Sequence, residues 1–319
     1  MELINNTPYP VLMFKTGLGD DKFAMSVAVR ITYDIEENGN AVISQNQEWK
    51  LSREPWQSEY GPIESDDVFR RGGVDILVFG SAKSPNRDIP VHSMDVVVNY
   101  NDRIINKIIV FGDRVWKKSL LGMEISTPKP FTEMPVTLAN AYGGQADWDG
   151  IKIPFGNNPE GKGYHYAKED YVGKALPNVE DPNRLIRKYT DQPDPVGVAC
   201  LPQLCEMHMR NNVLFNKEGQ MEKLDPKFFN TAFPSMIVDT IKDGDSIVVT
   251  GMSVKPFLVK VPAQKIFMKT SLGQKEMMKE MYIEQIGLII DKKQVFITYR
   301  CPINYTLIPL EIRKCEITI

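Results

Sequence analysis

Glycines at 150, 156, 161, 163, 173 and 197 and prolines at 154, 159, 177, 182, 193, 195 and 202 break up the middle of this chain. Glycine costs a helix interior about 1 kcal/mol and proline about 3 kcal/mol relative to alanine. No long helix is therefore expected across residues 145–225, and apolar periodicity there is weak. A connection of that length inside a compact protein is usually ordered by its packing and often carries recognition. Trp148, Phe155, Tyr164, Tyr166 and Tyr171 give it apolar anchors, which argues against disorder. The scaffold has to come from what flanks it.

Both flanks read as strands. Residues 22–36, KFAMSVAVRITYDIE, are rich in β-branched and aromatic side chains, and Asn38-Gly39 supplies a hairpin turn before a return strand at 41–44. Pro8, Pro10, Pro55 and Pro62 punctuate the strand edges, where a missing N–H does least harm. Val74–Phe79 is an almost continuous apolar run of strand length, and residues 91–100 and 103–111 pair across Asn101-Asp102. After residue 224, Asp225 caps a short helical piece that starts at Pro226. Strands follow at 246–250, 257–261, 284–291, 294–299 and 310–319, while Lys275–Met281 has helical composition but is too short to assign. The expected fold is mainly β and β-sandwich-like, two strand-rich halves joined by a long irregular Gly/Pro-rich segment with little helix. A single domain over 1–319 is expected: an N-terminal β half (1–120), a seam and irregular middle (121–225) and a C-terminal β half (226–319).

The totals narrow the function. With 42% apolar and 25% charged residues and a net charge of −3, the chain is a globular protein without the basic excess that nucleic acid requires. It contains no run of about 18 apolar residues, and the N-terminal MELINNTPYPVLMF lacks the basic start and apolar stretch of a signal peptide. A cytosolic protein is expected, with no membrane partner and with Cys200, Cys205, Cys301 and Cys315 as reduced thiols. Cys200, Cys205 and His208 could supply three metal ligands, but the tight cysteine pairs of structural zinc sites are missing, and buried small hydrophobes are the preferred assignment. No metal or cofactor is expected.

Catalytic motifs are sparse. Residues 156–163, GNNPEGKG, keep the glycines and lysine of a phosphate loop, yet Gly163 stands where Mg²⁺ needs a hydroxyl, and no helix can follow. GxSxG is absent, and His165 has no nucleophile beside it in sequence. The acidic pairs Asp20-Asp21, Glu36-Glu37, Asp66-Asp67 and Glu169-Asp170 look like solvated loops. A polysaccharide-acting hydrolase would need two carboxylates at a set separation; the aromatic loop keeps that alternative, or simple carbohydrate binding, open.

Two clusters remain, at the junction of the halves. In GDRVW, Asp113 and Arg114 precede Trp116, an arrangement that suggests a structural latch in which the guanidinium bridges loops. In PFTEMPVTLANAYGG (130–144), Phe131 and Met134 anchor, Pro135 stiffens, and Tyr142-Gly143-Gly144 permits a tight turn. These residue types fix geometry and do not move protons.

At the same residues the chain resembles the bacterial family DUF2169. VFGDRVW carries Gly112, Asp113, Arg114 and Trp116 of its "V.GdR.W" motif, and PFTEMPVTLANAYGG resembles "F..mPl.yerAfGG" through Phe131, Pro135, Tyr142, Gly143 and Gly144. Leu138-Ala139-Asn140 stands where the family has Tyr-Glu-Arg. NNPEGKG matches "N.NP.GkG" through Asn158, Pro159, Gly161 and Gly163, and LPNVEDP matches "lPniE.P". The resemblance implies a non-enzymatic adaptor or chaperone of type VI secretion, which binds a secreted effector and helps load it onto the spike protein. A structural component of the spike assembly is the further alternative. Trp148, Phe155, Tyr164, His165, Tyr166 and Tyr171 are the candidate partner-binding residues, on composition alone.

Overall fold

A computed structural model describes residues 1–120, 122–308 and 310–319. The fold is mainly β, with several sheets, no closed barrel and, among the described residues, one α-helix, Glu206–Asn212. The largest sheet has seven strands. Its order is Val11–Gly19, Lys22–Ile35, Gln294–Thr306, Tyr282–Ile289, Val74–Phe79, Ile237–Val238, with Ala41–Ile43 paired to the far end of Lys22–Ile35.

The two strand-rich halves are interleaved. Lys22–Ile35 pairs antiparallel with Gln294–Thr306 from Lys22↔Thr306 to Asp34↔Gln294, and Val74–Phe79 pairs parallel with Tyr282–Ile289. A five-stranded sheet places Val179–Glu180, Arg103–Phe111, Ser93–Tyr100, Ser246–Thr250 and Phe257–Lys260 side by side. A four-stranded sheet runs Glu2–Asn5, Arg313–Thr318, Phe267–Leu272, Lys275–Glu280. Lys275–Glu280 is thus a strand: pairing with Phe267–Leu272 overrides the helical preference of lysine, glutamate and methionine. Met25, Val27, Ile31, Val96, Val110, Ile247, Ile286 and Ile297 all belong to one buried apolar cluster that spans the two larger sheets.

The Asn101-Asp102 turn between Ser93–Tyr100 and Arg103–Phe111 is pinned by Asp245. Its carboxylate accepts from the Tyr100 hydroxyl, the Lys242 N–H at 2.8 Å and Asn101 Nδ2 at 3.2 Å. Burial alone would raise its pKa, but these bonds outweigh it and hold the group below the usual carboxylate range. A lowered folded pKa contributes stability above the unfolded value and loses it as pH falls through the folded value. Asp245→Asn should cost about 1 kcal/mol at pH 7. The difference from wild type should shrink as pH falls through the folded value of this carboxyl, below the usual carboxylate range, as read by thermal melts at decreasing pH.

One face of the large sheet carries charge. Arg30, Asp66, Arg71, Asp75, Glu284 and Arg300 are all buried against it. Arg30 meets Asp66 at 2.6 Å and Arg300 meets Glu284 at 2.6 Å, while Arg71 lies 3.8, 3.6 and 3.7 Å from Asp66, Asp75 and Glu284. Three cations thus face three carboxylates, so the cluster is neutral. The ladder explains how Glu284 arrives there. Ile283 pairs with Tyr299 and Gln285 with Thr298, which leaves Glu284 as the extra residue of a β-bulge, free to turn towards Arg300. Asp66 is therefore not part of a solvated acidic pair; only Asp67 is, bonded to exposed Arg53 at 2.9 Å. The side chain of Glu169, in another of those pairs, lies outside the described residues.

Candidate functional site

The two seam motifs fold against the irregular middle. Residues 111–116 zip to 173–178 through Phe111 N–H to Asn178 O at 2.7 Å, Leu176 N–H to Arg114 O at 3.0 Å and Trp116 N–H to Lys174 O at 3.0 Å. Arg114 is buried, with its guanidinium 3.8 Å from the Phe111 ring centre, and it donates to Pro177 O at 2.7 Å and to the Glu180 carboxylate. Its partner is Glu180, not the adjacent Asp113, whose carboxylate accepts from Asn178 Nδ2 at 3.2 Å. Burial pushes the Glu180 carboxyl above its usual range, against the opposing pull of Arg114 and the Ile186 N–H.

The second motif and the false phosphate loop are packed backbone to backbone. A Cβ on Gly143, whose φ is +150°, would lie 2.1 Å from Asn158 O, and one on Gly161 would lie 2.7 Å from Ala141 O. Tyr142-Gly143 pairs parallel with Lys162-Gly163. The Asn158 side chain donates to Leu138 O at 2.8 Å and Tyr142 O at 3.0 Å. The loop is closed on itself, with Pro159 at its exposed bend. Gly112 serves a similar close approach, since a Cβ there would meet Lys129 O at 1.8 Å. Phe131 is buried in the main core, and Pro135 ends Glu133–Pro135, which pairs with Ser81–Lys83.

Trp116, Tyr142, Tyr171, Leu176 and Ile186 form a second, smaller core, with Phe155 and Tyr164 packed on it. Three of the aromatic residues expected at a partner surface are therefore packed in or on this core. Tyr171 is buried and donates its hydroxyl to His165 O at 3.0 Å; Phe155 packs edge-on to Tyr142, and Tyr164 lies tilted against Phe155 with ring centres 5.2 Å apart. The reason is composition: a segment without regular ladders needs its own apolar centre. His165 packs edge-on against Tyr171, and burial, with Lys174 nearby, holds its imidazole below the usual range.

Trp148 and Tyr166 are different. They are 49% and 58% exposed and lie with ring centres 5.7 Å apart. Trp148 ends Gln145–Trp148, whose hairpin partner Ile151–Pro154 places Ile151, 60% exposed, directly opposite it. Ile151 was not a sequence-level candidate; its place follows from the Asp149-Gly150 turn, which pairs it with Trp148. The three make an apolar patch at the tip of a hairpin, flanked by the exposed Lys152–Asp147 ion pair at 2.9 Å.

Among the described residues no group of three His, Cys, Asp or Glu side chains is placed to hold a metal ion, and His208 Nε2 lies 2.8 Å from Phe228 O. Cys200 and Cys205 are buried, which pushes both thiols up, Cys200 to about 12. No described helix is long and apolar enough to cross a membrane.

No curated protein and no solved structure matches the chain. One family model does, over residues 20–300, and it is described as an uncharacterised protein conserved in bacteria. That span contains both seam motifs, the closed 156–163 loop and the buried ion cluster, and the chain belongs to this bacterial family, DUF2169.

Proposed function

We propose that the protein is a non-enzymatic bacterial adaptor that binds a type VI secretion effector in the cytoplasm and helps load it onto the spike protein. The observation that supports binding most directly is the exposed Trp148–Tyr166–Ile151 patch on a hairpin held by a separate small core. Large aromatic side chains that stay in water on a rigid support are the typical anchors of protein interfaces. The buried carboxylates support the same reading, because Asp66, Asp75, Glu180 and Glu284 are already engaged by arginines or by hydrogen bonds from the fold.

The test is co-expression with the secreted protein encoded beside this one, followed by size-exclusion chromatography. The wild type should co-elute with it. Trp148→Ala with Tyr166→Ala should weaken that complex at least roughly tenfold, the scale of losing one or two interface anchors, with an unchanged melting temperature. Co-elution of the double variant at wild-type strength would show that the hairpin is not the contact surface. Failure of the wild type to co-elute would remove the adaptor function itself.

A further inference from the structure

We propose that a cleft at the Val74 end of the large sheet docks an extended peptide segment of a partner protein, one that presents a carboxylate to Arg70 and a cationic group to Asp239. This goes beyond the adaptor reading and does not depend on it. The cleft has a volume of about 360 Å³, within the range of ligand sites. Ile241, Ile283 and Pro302 give it apolar walls, and Arg70, Asp239 and Tyr282 give it polar ones.

The sheet explains why a cleft lies there. Tyr282–Ile289 begins three residues before its first rung with Val74–Phe79, which is Gln285↔Asp75. On the other side the ladder with Ile237–Val238 ends at Val238↔Val74, and residues 239–241 continue past it. Between these two flanks the chain leaves the sheet. The Gly72 N–H is bonded to Asn230 Oδ1 at 2.9 Å, and Arg71 is drawn into the buried ion cluster. Two segments that both neighbour one strand stand roughly 10 Å apart, twice the interstrand spacing. That is the width of a single extended chain.

The charges select its occupant. Among the described residues neither Arg70 nor Asp239 has a hydrogen-bond or ion-pair partner, and both are exposed on the same cleft. A lone anion would gain from Arg70 and be repelled by Asp239. A peptide with two side chains of opposite sign satisfies both, and its apolar residues meet Ile241, Ile283 and Pro302. Tyr282 adds a donor. The residue is 43% exposed, and a phenol with its usual pKa of about 10 is protonated at neutral pH.

The experiment pans a display library of random twelve-residue peptides against the full-length protein. Enriched sequences should carry Asp or Glu together with Lys or Arg. They should bind Arg70→Glu roughly tenfold more weakly, the scale of a lost charge-assisted bond, and Asp239→Lys similarly. A peptide with its carboxylate residue replaced by lysine should regain affinity for Arg70→Glu alone. Arg70 and Asp239 are exposed, so unchanged melting is expected for both variants; if one fails to fold, the other decides. Enriched peptides that bind both variants as well as wild type, or a library without any enriched sequence, would overturn the proposal. Neither result bears on co-elution with the effector, so the two ideas fail separately.

Discussion

Arg300→Met should destabilise the protein by about 3–5 kcal/mol, the range for removing one partner of a buried ion pair. Arg300 is fully buried, and every arm of its guanidinium is used: Nε to Glu284 at 2.6 Å, Nη1 to Val68 O at 2.6 Å and Ser26 Oγ at 3.0 Å, Nη2 to Asp66 O at 2.9 Å. Those bonds fasten the 66–68 loop to the centre of the large sheet. Methionine fills much of the volume but leaves the Glu284 carboxylate without its nearest cation. It also removes one of the two donors that Val68 O and Asp66 O each have, leaving the Ser26 hydroxyl and the Val68 N–H. Against a typical stability of about 5–15 kcal/mol, this loss puts the variant near its folding threshold. The partner change tests the cause. In Arg300→Met with Glu284→Met no carboxylate is stranded at that position, so the double variant should recover at least half of the deficit in urea denaturation. A single variant within about 1 kcal/mol of wild type would mean that the cluster is not a stability element.

Local chemistry was legible in the sequence, and long-range pairing was not. The Asn38-Gly39 and Asn101-Asp102 hairpins and the strand at Lys22–Ile35 follow from turn residues and β-branched runs within a few positions. The Asp225 cap likewise forms, its carboxylate accepting from the Lys227 N–H at 2.8 Å, although the turn it starts is 3₁₀ and spans only Pro226–Phe229. Nothing local says that Lys22–Ile35 pairs with Gln294–Thr306, or that Asp66 finds Arg30. Acidic pairs look solvated until a cation from another strand covers them. The helix Glu206–Asn212 was missed because its start has no capping side chain of its own. Cys205 sits at the cap, and the Met207 N–H is taken by Asn157 Oδ1 from the closed loop. In the middle segment, aromatic composition did not separate the residues that anchor the fold from those that stay exposed. Which side each would face depended on the second core: Phe155, Tyr164 and Tyr171 turn into it, and Trp148 and Tyr166 turn away.

Arg114→Ala should cost about 3 kcal/mol or more at pH 7, because it strands a buried carboxylate, and the loss should appear first in the small core. Arg114 ties the edge of the five-stranded sheet to the middle segment: its ring partner Phe111 ends Arg103–Phe111, and its acceptors are Glu180, on the adjacent strand Val179–Glu180, and Pro177 just before it. Without the guanidinium, Glu180 keeps only the Ile186 N–H at 2.8 Å in a buried setting. The sign of the pH dependence follows. Burial already holds the Glu180 carboxyl above its usual range, and losing Arg114 raises it further. A folded pKa above the unfolded value means stability that falls as pH rises through that window. The deficit of Arg114→Ala should therefore be largest near neutrality and shrink as pH falls towards the usual carboxylate range, whereas Arg114→Ala with Glu180→Gln should lose that dependence. Trp116, edge-on to Tyr171 with ring centres 6.2 Å apart, reports on the same core by near-UV circular dichroism. If Arg114→Ala melts like the wild type and keeps that signal, yet no longer binds the effector, then the seam is itself the contact surface. Loss of the Trp116 signal together with stability, with binding recovered on cooling, assigns it to the scaffold.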